Sequence, residues 1–173
     1  MIIILAIING LNLKNSLKFF KKVVIFNIIR KLLLTRTKEE VLRMIRWQDK
    51  YALGVVEIDE QHRKLFEIAG EIEALLNDDF ITDKYDDIVA ILGELKDYTI
   101  QHFKDEEEFM LSHKFPMFLT HKMMHNDFVE KIESIDLSKV DNEQNLYLKE
   151  ILNFVAEWLV EHILVEDAKY SIN

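Results

Sequence analysis

The 173-residue chain contains no cysteine, one proline and four glycines. The missing cysteines exclude disulfides, thiolate metal ligands and a cysteine nucleophile. A reducing compartment suits such a chain, and a cytoplasmic location is expected. The scarcity of glycine and proline removes the turn residues that a many-stranded architecture needs, and favours long helices. Long apolar runs are also missing. Ile2–Ile8 is closed by Asn9-Gly10 and is far shorter than the roughly 20 residues of a spanning helix. It has neither the basic flank nor the small-residue cleavage site of a signal peptide. No Gly-rich phosphate loop and no G-x-S-x-G elbow occur, which removes the usual nucleotide-binding and serine-hydrolase signatures.

What is present is charge, unevenly shared. Residues 1–43 carry a balance of +7 and residues 44–173 a balance of −16. The body is too acidic for a nucleic-acid footprint, so no nucleic-acid partner is expected. With 49% hydrophobic and 31% charged residues, one domain with a sizeable core is the natural expectation. Residues 1–43 are expected to be a dispensable N-terminal extension. The alternative is a basic amphipathic helix over Lys14–Leu34 lying on an anionic membrane surface. Met44-Ile45-Arg46-Trp47 looks like the natural start of the domain, taken as 44–173.

Hydrophobic spacing predicts four helices, at about 59–77, 84–111, 116–134 and 142–168. Their inward stripes are Ile58, His62, Leu65, Ala69, Ile72, Leu76; Ile88, Ile91, Leu95, Tyr98, His102, Glu106, Phe109; Phe118, His121, His125, Phe128, Ile132, Ile135; and Leu148, Ile151, Val155, Trp158, His162. Asp59 is expected to cap the first helix, Pro116 to occupy the first turn of the third, and Asp141 with Gln144 to cap the fourth. Short connections between long helices imply an all-α, up-down-up-down antiparallel four-helix bundle.

These stripes carry chemistry. His102-x-x-x-Glu106 and His121-x-x-x-His125 each place two ligand types one turn apart on one helix face. His162-x-x-x-x-Asp167 and His62 complete the set. Burying one unpaired imidazole or carboxylate costs several kcal/mol, so residues of this kind at core positions need a common partner. Seven nitrogen and oxygen ligands exceed the four of a closed tetrahedral zinc site. They suit two metals sharing carboxylate bridges, and imidazole with carboxylate favours iron over a soft metal. Asp167 lies about 140° around an ideal helix from His162, which predicts a local π-type bulge there. Glu106 with Asp167 could also be a hydrolytic carboxylate pair, but the surrounding histidines argue against it. His113 matches no ligand position and is expected to be solvated. Glu107 could either support a ligand or face water.

The segments Trp47-Gln48-Asp49-Lys50-Tyr51-Ala52-Leu53-Gly54-Val55, Ile58-Asp59-Glu60-Gln61-His62, His102-Phe103-Lys104-Asp105-Glu106-Glu107 through Met110, Phe115-Pro116, His121-x-x-x-His125 and Trp158-x-x-x-His162-Ile163-x-x-x-Asp167 together resemble the bacterial hemerythrins, over about residues 44–170. Phe115 stands where the family commonly has Tyr. The resemblance implies a non-haem diiron centre. One iron would be held by His121, His125 and His162 and the other by His62 and His102. Glu106 and Asp167 would bridge them, with an oxo or hydroxo group as third bridge. Two histidines leave the second iron an open position, where dioxygen would bind reversibly within an apolar lining. Phe103, Trp158 and Ile163 flank the ligands, as core or as part of that lining. The implied function is oxygen carriage, storage or delivery, not catalysis. The alternatives are an oxygen or redox sensor, or a diiron enzyme acting on peroxide or another small oxidant. No residue three before a histidine is Glu, so the Glu-x-x-His pattern of ferritin-like oxidases is absent. An attached effector domain is not expected, which leaves residues 1–43 as the candidate output of a sensor, and no obligate protein partner is inferred.

Overall fold

The computed structural model of the protein describes residues 38–140 and 143–171. The expected extension, up to residue 37, and Asp141 lie outside the described residues. Four long helices carry the fold: α1 (Val56–Asn77), α2 (Tyr85–Ser112), α3 (Phe118–Glu133) and α4 (Gln144–Glu161). Among the described residues there is no strand. Two shorter helices occupy Lys38–Met44 and Leu137–Val140, and Met44, where the domain is expected to start, is the last residue of the first. No helix among the described residues is long and apolar enough to cross a membrane.

Helix α1 packs against α2 and α4, and α2 packs against α3. The directions follow from which ends meet. His62, early in α1, lies against His102, late in α2, with ring centroids 4.7 Å apart. Lys84, just before α2, sends its ammonium to the Leu76 carbonyl at the end of α1 and to Asn145 Oδ1 at the start of α4, at 3.3 and 3.0 Å. Consecutive helices therefore alternate in direction, giving the up-down-up-down bundle.

The apolar stripes form the core. Ile58, Leu65, Ala69, Ile72, Ile88, Leu95, Phe128, Ile132, Leu148, Ile151 and Val155 are all buried. The stripe expected on α2 is too narrow: Leu92, Thr99, Phe103 and Met110 are buried, while Ile91, Tyr98 and Phe109 are only half-buried. This helix faces two neighbours, so its buried face is broader than one seam.

The expected caps differ from the observed ones. Asp59 lies inside α1 and does not cap it. Its carboxylate accepts the backbone N–H groups of Leu53 at 2.7 Å and Gly54 at 3.1 Å, folding the preceding turn onto the helix. Gly54 supplies the φ of 83° that this turn requires. Pro116 precedes α3 in a turn and is not in its first turn. Gln144 caps a different helix from its own. Its Oε1 accepts the Lys84 N–H at 2.6 Å and its amide donates to Asp83 Oδ1 at 2.8 Å, joining the starts of α2 and α4.

The turn from α2 to α3 is closed by a Schellman motif. The Phe115 N–H reaches the Met110 carbonyl at 2.9 Å and the Lys114 N–H reaches the Leu111 carbonyl at 3.1 Å. Lys114 occupies the left-handed position with φ 55°, where a side chain is strained. Lys114→Gly should raise stability by about 0.5–1 kcal/mol, the relief of strain exceeding the added unfolded-state entropy. Urea unfolding measures this, and a loss of stability would contradict the strain argument.

Candidate metal centre

The seven predicted ligands converge at the end of the bundle where α1 and α3 begin and α2 and α4 finish. His62 comes from α1, His102 and Glu106 from α2, His121 and His125 from α3, and His162 and Asp167 from the turns that continue α4. All seven are buried, with Glu106 and Asp167 both at 0% exposure.

Each of the two carboxylates faces three imidazoles. Asp167 Oδ1 faces His121 Nε2 at 3.3 Å and His162 Nε2 at 3.1 Å, while its Oδ2 faces His62 Nε2 at 3.4 Å. Glu106 Oε1 faces His121 Nε2 at 3.4 Å, and its Oε2 faces His125 Nε2 at 3.0 Å and His102 Nε2 at 3.8 Å. His125 Nε2 and His162 Nε2 are themselves 3.0 Å apart. Ligand atoms of Glu106, His121, His125 and His162 all lie within 4.8 Å of one another, so one cation could touch all four.

Asp167 joins the site through an irregular turn. Residues His162–Glu166 form a π turn, followed by a 3-10 turn at Asp167–Lys169. The Asp167 N–H points to the carbonyls of both His162 and Ile163. The bulge expected from the five-residue spacing is therefore present, and it swings Asp167 to the same side as His162. The fourth helix, expected to run to residue 168, is α-helical only to Glu161.

A cation fits this pocket because the protein leaves its polar atoms uncompensated. Both ring nitrogens of His62, Nε2 of His121, Oε2 of Glu106 and both oxygens of Asp167 are buried with no hydrogen-bond partner. Buried polar groups normally find one, and unpaired atoms aimed at a common centre are what a metal satisfies. The protonation balance agrees. Burial and the neighbouring His62 push the His102 imidazole down to about 3. Burial also holds His162 well below its usual value. Burial, then the charge of Glu106, pushes Asp167 up. For Glu106 burial acts upward, but contacts from His121 and His125 win and hold it well below the carboxylate range. His121 resists its own burial and is raised to about 9 by Asp167 and Glu106. Without metal, the Asp167 and Glu106 carboxylates favour a proton on His121. Metal and proton compete for that place.

Two supporting residues, Gln61 and Tyr170, were not identified as such from the sequence, and a third, Glu107, was left open. Gln61 Oε1 meets His102 Nδ1 at 3.0 Å, and the Gln61 amide is held by Asp105 Oδ2 at 2.7 Å. Glu107 Oε1 meets His125 Nδ1 at 3.2 Å, which resolves the choice left open for this residue. The buried Tyr170 hydroxyl donates to Glu106 Oε1. Burial, then the charges of Asp167 and Glu106, pushes that hydroxyl far up, so it stays a donor. Aromatic rings close the apolar side. Phe103 stacks on His125 with centroids 3.7 Å apart, and Trp158 stacks on His162 at 4.1 Å. His113 is exposed, as expected, and stacks on Phe109.

Comparison with known proteins agrees with this geometry. Residues 53–171 match the family described as Hemerythrin HHE cation binding domain. A bacteriohemerythrin from Clostridium acetobutylicum is 43% identical over 127 residues, covering 73% of this chain and 98% of that protein. A hemerythrin chain from Sipunculus nudus is 30% identical over 72% of this chain and 89% of its own length. The myohemerythrin of Theromyzon tessulatum is 28% identical over 76% and 95%. A family match spanning most of the chain, with a near full-length relative above 40% identity, makes this chain a member of the hemerythrin family.

Proposed function

We propose that the protein binds dioxygen reversibly at a pair of non-haem irons, for carriage, storage or delivery. Family membership supports iron and oxygen as the ligands. The single observation that carries the two-metal reading is the placement of the carboxylates, since Asp167 directs one oxygen at His62 and the other at His121 and His162. In this reading His121, His125 and His162 hold one iron and His62 and His102 the other. Glu106 and Asp167 would be shared by both irons, together with an oxo or hydroxo group. With only two histidines, the iron at His62 and His102 would keep an open position for dioxygen. A cytoplasmic location, with no obligate protein partner, belongs to the same proposal.

When bound, the irons supply reversible electron donation to dioxygen. The chain's own residues set the conditions for it. Gln61 fixes the ring orientation of His102, and Glu107 does the same for His125. Tyr170 ties down Glu106. Phe103 and Trp158 stack on imidazoles, and with the buried Ile163 they keep water out. Gln61, Glu107 and Tyr170 are each committed to a ligand. That arrangement suits binding and release better than acid–base turnover.

The purified, iron-replete protein should hold two irons per chain. Its optical spectrum should change on aeration of the reduced form and return on degassing. His62→Ala should lose one iron, the one with fewer ligands. Elemental analysis giving one metal per chain, or zinc in preference to iron, would contradict the reading.

Metal removal should also destabilise the fold, because only the folded chain gathers the ligands. With free metal at roughly a hundred times Kd the loss is about 3 kcal/mol. Calorimetry of metal-free and loaded protein measures it, and equal melting would mean that the ligands are compensated in another way.

The proposed 44–173 domain holds every ligand. A chain starting at Met44 should therefore fold, load iron and bind oxygen like the full chain, which matched spectra would establish. Salt-sensitive co-sedimentation with anionic vesicles by the full chain alone would instead favour a membrane-surface role for residues 1–43.

A further inference from the structure

Two histidines carry a partner on the ring nitrogen facing away from the cluster, and these partners differ in charge. His102 Nδ1 meets the side-chain carbonyl of Gln61 at 3.0 Å, a neutral acceptor. His125 Nδ1 meets the Glu107 carboxylate at 3.2 Å. The second Glu107 oxygen pairs with the Lys122 ammonium. On the opposite edge of the His125 ring, Nε2 points into the cluster, 3.0 Å from both Glu106 Oε2 and His162 Nε2. A nitrogen that ligates a metal must offer its lone pair. The His125 proton then resides on Nδ1 and is donated to Glu107.

A carboxylate acceptor raises the basicity of an imidazole more than an amide does. The more basic imidazole donates more strongly to a metal and favours its higher charge. The Glu107 side chain is 13% exposed, so water screens this effect only in part. Lys122, 45% exposed, draws charge back from Glu107 and tempers it.

We infer that Glu107, balanced by Lys122, is a positioning residue that makes the metal held by His121, His125 and His162 the more easily oxidised of the two. The inference rests on the ligand assignment proposed above. The oxidation is the loss of one electron, Fe(II) to Fe(III), at that metal. In the test below the acceptor is the outer-sphere oxidant ferricyanide, reduced to ferrocyanide. Gln61, held by Asp105 at 2.7 Å, gives His102 no comparable charge.

The test uses the full-length protein with two variants, Glu107→Gln and Lys122→Met. Iron per chain, circular dichroism, the potential of the first oxidation by ferricyanide titration, and Co(II) affinity of the metal-free protein are measured. Glu107→Gln keeps the acceptor but removes its charge. It should raise the first potential and weaken Co(II) binding about tenfold. Lys122→Met leaves the carboxylate uncompensated and should lower the first potential. Opposite shifts in two folded, iron-loaded variants are the expected result, and a merely structural role would not produce them. Two irons in all three proteins with unmoved potentials, or shifts in the same direction, would overturn this inference alone. A wild-type chain that takes up no metal pair would overturn the ligand assignment and this inference with it.

Discussion

Glu106 and Asp167 are wholly removed from water, and most of the structure at the metal end of the bundle answers to that fact. A buried carboxylate costs several kcal/mol unless its charge is met. Imidazoles arrive from α1, α2, α3 and the end of α4, Tyr170 donates to Glu106, and the oxygens left unpaired are those a cation would satisfy. The four helices must therefore agree in register at one level of the bundle. The apolar stripes supply the cohesion and the carboxylates fix the alignment.

The opposite end shows the same logic with one charge. Lys84 is buried, and its ammonium rests on the Leu76 carbonyl and Asn145 while its N–H is capped by Gln144. One residue thus ties the end of α1 to the starts of α2 and α4. The cation sits at the negative pole of α1, where it is favourable. Between the two polar ends, Leu65, Ile72, Leu95, Phe128, Leu148 and Val155 form an apolar middle.

The bundle and the seven-residue cluster were legible in the sequence because both are periodic. His102 with Glu106, and His121 with His125, stand one turn apart on stripes whose other members are apolar, so their burial could be read from spacing alone. Even the π turn was legible, since Asp167 stands one residue too far from His162 for a regular helix. The supporting roles of Gln61 and Tyr170 were not, and that of Glu107 stayed open, because their partners lie across the bundle. Gln61 is separated from His102 by 41 positions, Glu107 from His125 by 18 and Tyr170 from Glu106 by 64. No local period encodes such pairs. Tyr170 also lies past the last helix, where the stripe ends. The caps failed for a related reason. Asp59 and Gln144 look like local helix starts, but Asp59 serves the preceding turn and Gln144 serves another helix.

The π turn at His162–Glu166 sets helix regularity against ligand geometry. A chain shorter by one residue there could close an unbroken i→i−4 ladder and would be the better helix. Every later side chain would then turn by about 100°. Asp167 and Tyr170, which reach the cluster from adjoining turns, would leave it together. The local optimum of the backbone and the requirement of the cluster are therefore different sequences. A redesign that scored only helix quality would discard the residue on which Asp167's place in the cluster depends.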